Sequence, residues 1–144
     1  MLRSPSGVWS SLALGRGILY SAGMDKDRYY EGLLFKQEGQ LAEALDAFEE
    51  AAGDDAESAA AWNEMGLLYD DDGRMAKAAQ CYEKATVLDP GFAKAWNNWG
   101  VTFFVRGDYA EARTRFAEAL RLDPQMESAR LNLADAEEER AGPV

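Results

Sequence analysis

Apolar residues recur at three- and four-residue steps along most of this chain. Between residues 59 and 92, Trp62, Met65 and Tyr69 mark one stripe, and Met75, Ala79 and Tyr82 mark a second. That spacing places each set on one face of an α-helix. Gly73 separates the stripes and can take the left-handed backbone that closes a first helix. The segment therefore predicts a helical hairpin. Shifted forward by 34 residues with no gap, the pattern returns. Trp62 maps to Trp96, Gly66 to Gly100, Tyr69 to Phe103, Gly73 to Gly107, Ala78 to Ala112, Tyr82 to Phe116 and Ala85 to Ala119. Leu88-Asp89-Pro90 maps to Leu122-Asp123-Pro124. A backward shift reaches residues 25–58, where Gly32, Phe35, Gly39, Ala44, Phe48 and Ala51 keep the phase. In that copy Arg28 takes the tryptophan position, Glu31 takes that of Met65 and Trp99, and Asp54-Asp55-Ala56 replaces the Leu-Asp-Pro stop. A fixed period of this length predicts stacked repeats, in which no hairpin buries its apolar face alone.

The punctuation agrees with the periodicity. Gly39 and Gly107 stand where Gly73 stands, Asp108 is placed to cap the helix that follows it, and Ser58 is placed to cap the helix of the next copy. Pro90 and Pro124 end the second helix of their copies, because the residue before a proline resists the helical region. Gly32, Gly66 and Gly100 lie inside helical patterns, where glycine costs about 1 kcal/mol relative to alanine. Three such costs at one phase imply a gain there, expected to be close approach of two helices with Ala44, Ala78 and Ala112 facing the glycines. Residues 127–141 predict one more helix, apolar along one stripe and charged on the other, as suits the closing helix of an array. The expected organisation is an N-terminal extension over 1–24 and a repeat domain over 25–141. Its repeats run 25–58, 59–92 and 93–126, followed by a capping helix over 127–141.

The pattern W-x2-(apolar)-G-x2-(aromatic), Gly, A-x3-(aromatic)-x2-A and L-D-P resembles the tetratricopeptide repeat (TPR). The resemblance covers residues 25–126 and a trailing helix. It implies an all-α solenoid of three helical hairpins plus a C-terminal capping helix, wound as a right-handed superhelix. The first helix of each hairpin is then expected to line a concave face that holds extended or helical peptide segments. Carried over by phase, that lining takes Lys26, Tyr29, Leu33, Lys36 and Gln37 from the first copy. The second supplies Asn63, Leu67, Asp70 and Asp71, and the third Lys94, Asn97, Val101, Phe104 and Val105, with Leu131 from the last helix. Asn63 and Asn97 share a phase, and a primary amide can donate to and accept from a peptide backbone. Val101, Phe104 and Val105, if exposed together, form an apolar patch that needs a partner, and Asp70 and Asp71 put negative charge beside it. A partner with an apolar anchor and a nearby Lys or Arg fits these features. One specialisation of the family grips acidic C-terminal tails of heat-shock chaperones with a two-carboxylate clamp. The matching places here hold Tyr29, Leu33, Glu64, Lys94 and Asn98. Only Lys94 and Asn98 have suitable chemistry, and Glu64 repels a carboxylate.

Charge narrows the partner class further. The chain has 144 residues, 47% of them hydrophobic, with a net charge of −11 and a pI near 4.4. Every acidic residue follows Gly23, whereas Arg3 and Arg16 precede it, leaving 13 basic against 26 acidic residues, a net −13. So acidic a body disfavours nucleic-acid phosphates and anionic membrane surfaces, and favours basic partners. A solvated acidic face on each helix accounts for the same charge. The one cysteine, Cys81, precludes an internal disulfide and suits a reducing compartment, so the expected location is cytoplasmic. The chain has no histidine, the commonest general base and metal ligand. Asp70-Asp71-Asp72-Gly73 does not make a calcium loop, because the sixth and twelfth places counted from Asp70 hold Met75 and Cys81. No phosphate loop, nucleophile elbow or Cys-pair metal site is present. No catalytic residue, metal site or cofactor is expected, and no apolar run reaches the length of a membrane span. Residues 1–24 carry no acidic residue, two arginines and five serines. They read as a targeting segment, a loosely packed extension or an upstream addition to a chain starting at Met24. The expected function is a non-enzymatic adaptor or scaffold that binds a peptide or protein segment. The alternative is a self-associating structural protein whose homo-oligomer is the working unit.

Overall fold

Three glycines with left-handed backbone set the hairpins: Gly39 (φ 77°), Gly73 (φ 77°) and Gly107 (φ 88°). The structure, a computed structural model, describes residues 24–141, so the readings made for residues 1–23 and 142–144 concern segments outside it. The described residues form seven α-helices and one short 3-10 turn, with no strand among them. The first hairpin pairs α1 (Met24–Gln37) with α2 (Leu41–Ala51). The turn Ala56–Ser58 precedes α3 (Ala59–Asp71) and α4 (Met75–Leu88). Then come α5 (Ala93–Arg106), α6 (Tyr109–Leu122) and the closing helix α7 (Glu127–Ala141). At each glycine the same two backbone bonds close the helix. Gly107 N donates to Phe104 O (3.0 Å) and Asp108 N to Phe103 O (2.9 Å), as Gly73 and Arg74 do to Asp70 and Tyr69. This pairing satisfies carbonyls that a helix end leaves open.

Side-chain caps do less than the sequence suggests. Asp108 makes no capping bond, and its carboxylate accepts instead from the Arg106 guanidinium at 2.7 Å. Ser58 does not cap α3 either; its hydroxyl points back to the carbonyls of Gly53 and Asp55, both at 2.7 Å. Asp55 caps the 3-10 turn by accepting from Ser58 N at 3.0 Å. In the Leu-Asp-Pro stops the aspartate is extended, with φ −136° at Asp89 and −137° at Asp123, as the residue before proline prefers. Each carboxylate accepts the N–H two residues on, at 3.1 Å from Gly91 and from Gln125.

The chain divides into two compact units, one ending at Ala51 and one beginning at Ala52. In the first, Ala44, Ala47, Phe48 and Ala51 are buried between α1 and α2. Arg28, at the tryptophan position, pairs with Glu31 on its own helix and Glu50 on α2, so an ion-pair tie replaces an aromatic contact. The second unit has two core clusters. Ala59, Ala85 and Ala95 form one, with Trp62, Leu88 and Phe92 packed against it. Ala112, Phe116 and Ala136 form the other, with Val101, Phe103, Phe104 and Leu133 around it.

The internal glycines do mark close approach, but an aromatic ring faces each one rather than an alanine. A Cβ added at Gly32 would lie 2.6 Å from a Phe48 ring carbon, and one at Gly100 2.5 Å from a Phe116 ring carbon; Gly66 meets the Tyr82 ring in the same way. Ala44, Ala78 and Ala112 are fully buried nearby. Each glycine costs about 1 kcal/mol of helix propensity. Burying the ring it admits contributes roughly 1.5–3 kcal/mol, so the exchange favours the hairpin.

Candidate functional site

Two side-chain amide bonds tie the first helices of the second unit in a row. Asn98 Nδ2 on α5 donates to Asn63 Oδ1 on α3 at 3.0 Å. One register later, Asn132 Nδ2 on α7 donates to Asn97 Oδ1 on α5 at 3.1 Å. Asn97 Nδ2 also reaches Ser128 Oγ at 3.5 Å, the limit of a hydrogen bond. Asn63 and Asn97 are 4% and 8% exposed, so these amides, expected to meet a peptide backbone, are largely committed to one another. Their structural work is to fix the spacing of α3, α5 and α7.

Helical geometry then orders what lies along the same faces. One turn beyond the amides come Leu67 and Val101, both half-buried, and Asp135, which is exposed. Two turns beyond, roughly 10 Å on at 1.5 Å per residue, come half-buried Asp70 and Phe104 and exposed Asp71, Val105, Glu138 and Glu139. Lys94 is exposed near the start of α5, and Leu131 is 56% exposed on α7. The expected apolar trio is divided. Val101 and Phe104 pack against the Ala112–Phe116–Ala136 cluster, with the Phe104 ring edge-on to Tyr109 at 5.2 Å. Only Val105, 58% exposed, faces water. The reason is that α7 supplies Ala136 and Leu133 to this core, which covers the α5 side chains next to it. Tyr29 and Leu33 belong to the first unit; both are half-buried, and the Tyr29 ring packs on Phe48 at 5.7 Å.

The third band is electrostatically incomplete. Among the described residues, the cations of the second unit are spent elsewhere, in Lys84–Asp54, Arg106–Asp108, Arg121–Glu118 and Arg130–Glu127. Arg74 and Lys77 lie over the Tyr69 ring, and Arg115 lies 4.1 Å from the Trp99 centroid. None of these ion pairs reaches Asp70, Asp71, Asp135, Glu138 or Glu139. Burial holds the Asp70 carboxyl above its ordinary range; a 3.4 Å hydrogen bond from the Tyr82 hydroxyl opposes that shift, and the Asp71 charge adds to it. Burial, then the Asp70 charge, push the Tyr82 hydroxyl up as well. Asp70 and Asp71 also stand at the carbonyl end of α3, where the helix dipole adds negative potential. Among the described residues no group of three or more Cys, Asp or Glu is arranged to hold a metal ion. No helix there is long and apolar enough to cross a membrane.

Reading the sequence alone missed Asn132, Asp135, Glu138 and Glu139 as members of this face. Asp135 and the glutamates passed for the solvated side of a closing helix. The available signal was phase, because Asn132 stands 34 residues after Asn98.

Comparison with known proteins bears on the whole arrangement. Models of the tetratricopeptide repeat match residues 29–92 and 93–126. No curated protein gives a significant match. Among solved structures, the first TPR of Spaghetti (RPAP3) bound to the HSP90 peptide SRMEEVD superposes with a TM-score of 0.76 at 19% identity, covering 82% of this chain and 94% of that one. The Sgt2 TPR domain from Aspergillus fumigatus gives 0.75 at 21% identity, covering 83% of this chain and 81% of that one. The second TPR domain of human RPAP3, in complex with the HSP70 peptide SGPTIEEVD, gives 0.67 at 24% identity, covering 78% and 92%. With the hairpins, the glycine-to-ring contacts and both repeat models in agreement, the chain belongs to the tetratricopeptide repeat family.

Proposed function

We propose that this protein is a non-enzymatic adaptor that binds a peptide segment of another protein across α3, α5 and α7. Tetratricopeptide repeat domains are protein–protein interaction modules, which sets the class of function. The observation that carries the finer reading is the band of unpaired carboxylates at Asp70, Asp71, Asp135, Glu138 and Glu139, with exposed Val105 among them and half-buried Leu67 and Val101 alongside. A ligand with one bulky apolar side chain and two or more Lys or Arg residues satisfies both parts. The apolar group covers Val105 and the strip beside it, while the cations relieve the desolvated Asp70 and its neighbours. This preference opposes that of the structural relatives, whose bound peptides end in the acidic sequence EEVD. Glu64 and Asp70 repel such a tail.

The test is selection from a random-peptide display library on the wild-type chain, with binding of the selected peptides then measured by fluorescence anisotropy. The expected winners carry an aromatic or aliphatic anchor beside basic residues, bind less tightly as salt rises, and lose binding to Asp70→Lys/Asp71→Lys. Winners that are acidic, or that bind this variant unchanged, would sink the reading.

A further inference from the structure

On the side of α6 and α7 lies an open cleft of about 510 Å³, bordered by Arg113, Ala117, Glu118 and Arg121 on α6 and by Leu133 and Glu137 on α7. One register earlier, the counterparts of Leu133 and Glu137 are Trp99 and Phe103 on α5, and there a second helix lies over them. Arg115 of α6 sits 4.1 Å from the Trp99 centroid and 5.3 Å from that of Phe103. Among the described residues nothing plays that part for α7. The cleft is thus the place where the repeat pattern puts one more helix.

Its charges say which helix suits it. Glu118 and Arg121 already pair with each other. Arg113 and Glu137 do not share in any ion pair among the described residues, and Arg113 Nε is shielded from solvent with no hydrogen-bond partner. Two cations and two carboxylates leave this face locally neutral, on a chain whose net charge is −11. It is therefore a face on which a second, equally acidic copy can approach without strong repulsion. A two-fold axis also turns one unspent cation and one unspent anion into two complementary contacts, because in such an interface residue i meets j and j meets i.

We propose that α6 and α7 form a self-association face. Two copies pack these helices around a two-fold axis into a four-helix arrangement, Arg113 of each copy meeting Glu137 of its partner and Leu133 lying between them. The small side chain of Ala117 lets the facing helices come close. This face is separate from the acidic band on α3, α5 and α7, and the proposal does not rest on peptide binding there.

Sedimentation velocity on the full chain at rising protein concentration tests it, beside Arg113→Glu, Glu137→Arg and the two combined, each checked for helicity by circular dichroism. The wild type is expected to shift from monomer to dimer. Each single reversal breaks two contacts and weakens the dimer by roughly ten-fold or more, and the combined swap restores it. A wild type that stays monomeric at every concentration overturns the proposal and leaves the cleft to a helix from another protein. A dimer indifferent to the single reversals, or one that the combined swap fails to restore, overturns it as well.

Discussion

α3 and α5 each present two faces that obey different rules. The face toward the partner helix of the hairpin is built from glycine, alanine and one ring: Gly66 against Tyr82, and Gly100 against Phe116. The rings are 0% and 1% exposed, and the alanines beside them are fully buried. Little can change there without a clash or a void. The face toward α7 and solvent is built from amides, short aliphatics and carboxylates. Two amide pairs hold it, and its acidic end has charges with no internal counterpart. One face is optimised for packing. The other gives up some stability, and that uncompensated charge is what another molecule can use.

The largest effect should come from emptying the packed face. Phe116→Ala is expected to cost about 3–5 kcal/mol in urea unfolding, the range for deleting a buried aromatic. Gly100→Ala should cost less, about 1–3 kcal/mol, because its Cβ meets the Phe116 ring. Pairing it with Phe116→Leu, which removes the edge of the ring, should make the two costs clearly non-additive; simple additivity would mean that the glycine does not serve the ring. On the other face, Asn97→Ala is expected to cost only about 1 kcal/mol, since it removes one neutral hydrogen bond at the edge of solvent. A loss as large as that of Phe116→Ala would erase the distinction between the faces.

The smallest change is the most telling. The Asp70 carboxyl titrates above its unfolded value, chiefly through burial. Its contribution to stability is therefore complete below the unfolded value and lost as pH rises through the raised one. Asp70→Asn should accordingly raise the melting temperature slightly at neutral pH, with the gain vanishing as the solution is acidified through that titration. The same variant should bind basic peptides more weakly. A variant destabilised at neutral pH would show that the carboxylate is a structural asset and not a cost.

How far the sequence could be read follows the same division. The hairpins were legible because the packed face repeats its glycine, alanine and ring at one phase, with the copies separated by a constant 34 residues. The ring opposite each glycine was harder to read, because a buried alanine and a buried ring lie close together on the same second helix, and helical periodicity does not rank them. The amide ties were hidden for a geometric reason. Asn63 and Asn97 share a phase, yet each bonds the residue next to its phase-mate: Asn63 meets Asn98, and Asn97 meets Asn132. Neighbouring helices are rotated enough that equivalent positions do not face one another. The caps failed on competition. Asp108 found Arg106 two residues away, and Ser58 found two carbonyls in its own loop.

The glycine and its ring stand sixteen residues apart in all three copies, at 32 and 48, 66 and 82, and 100 and 116. Neither half is useful without the other: a side chain at the glycine displaces the ring, and a smaller residue at the ring leaves the glycine's cost uncompensated. Such a pair drifts only jointly. In lineages descended from this chain, a Cβ gained at the first position should arrive with a shortened side chain at the second, within the same copy and independently of the other two. It also constrains how the array could have grown. A duplication whose ends fall between the two positions separates lock from key, whereas one spanning a whole hairpin delivers both, which is the unit of inheritance that the unbroken period records.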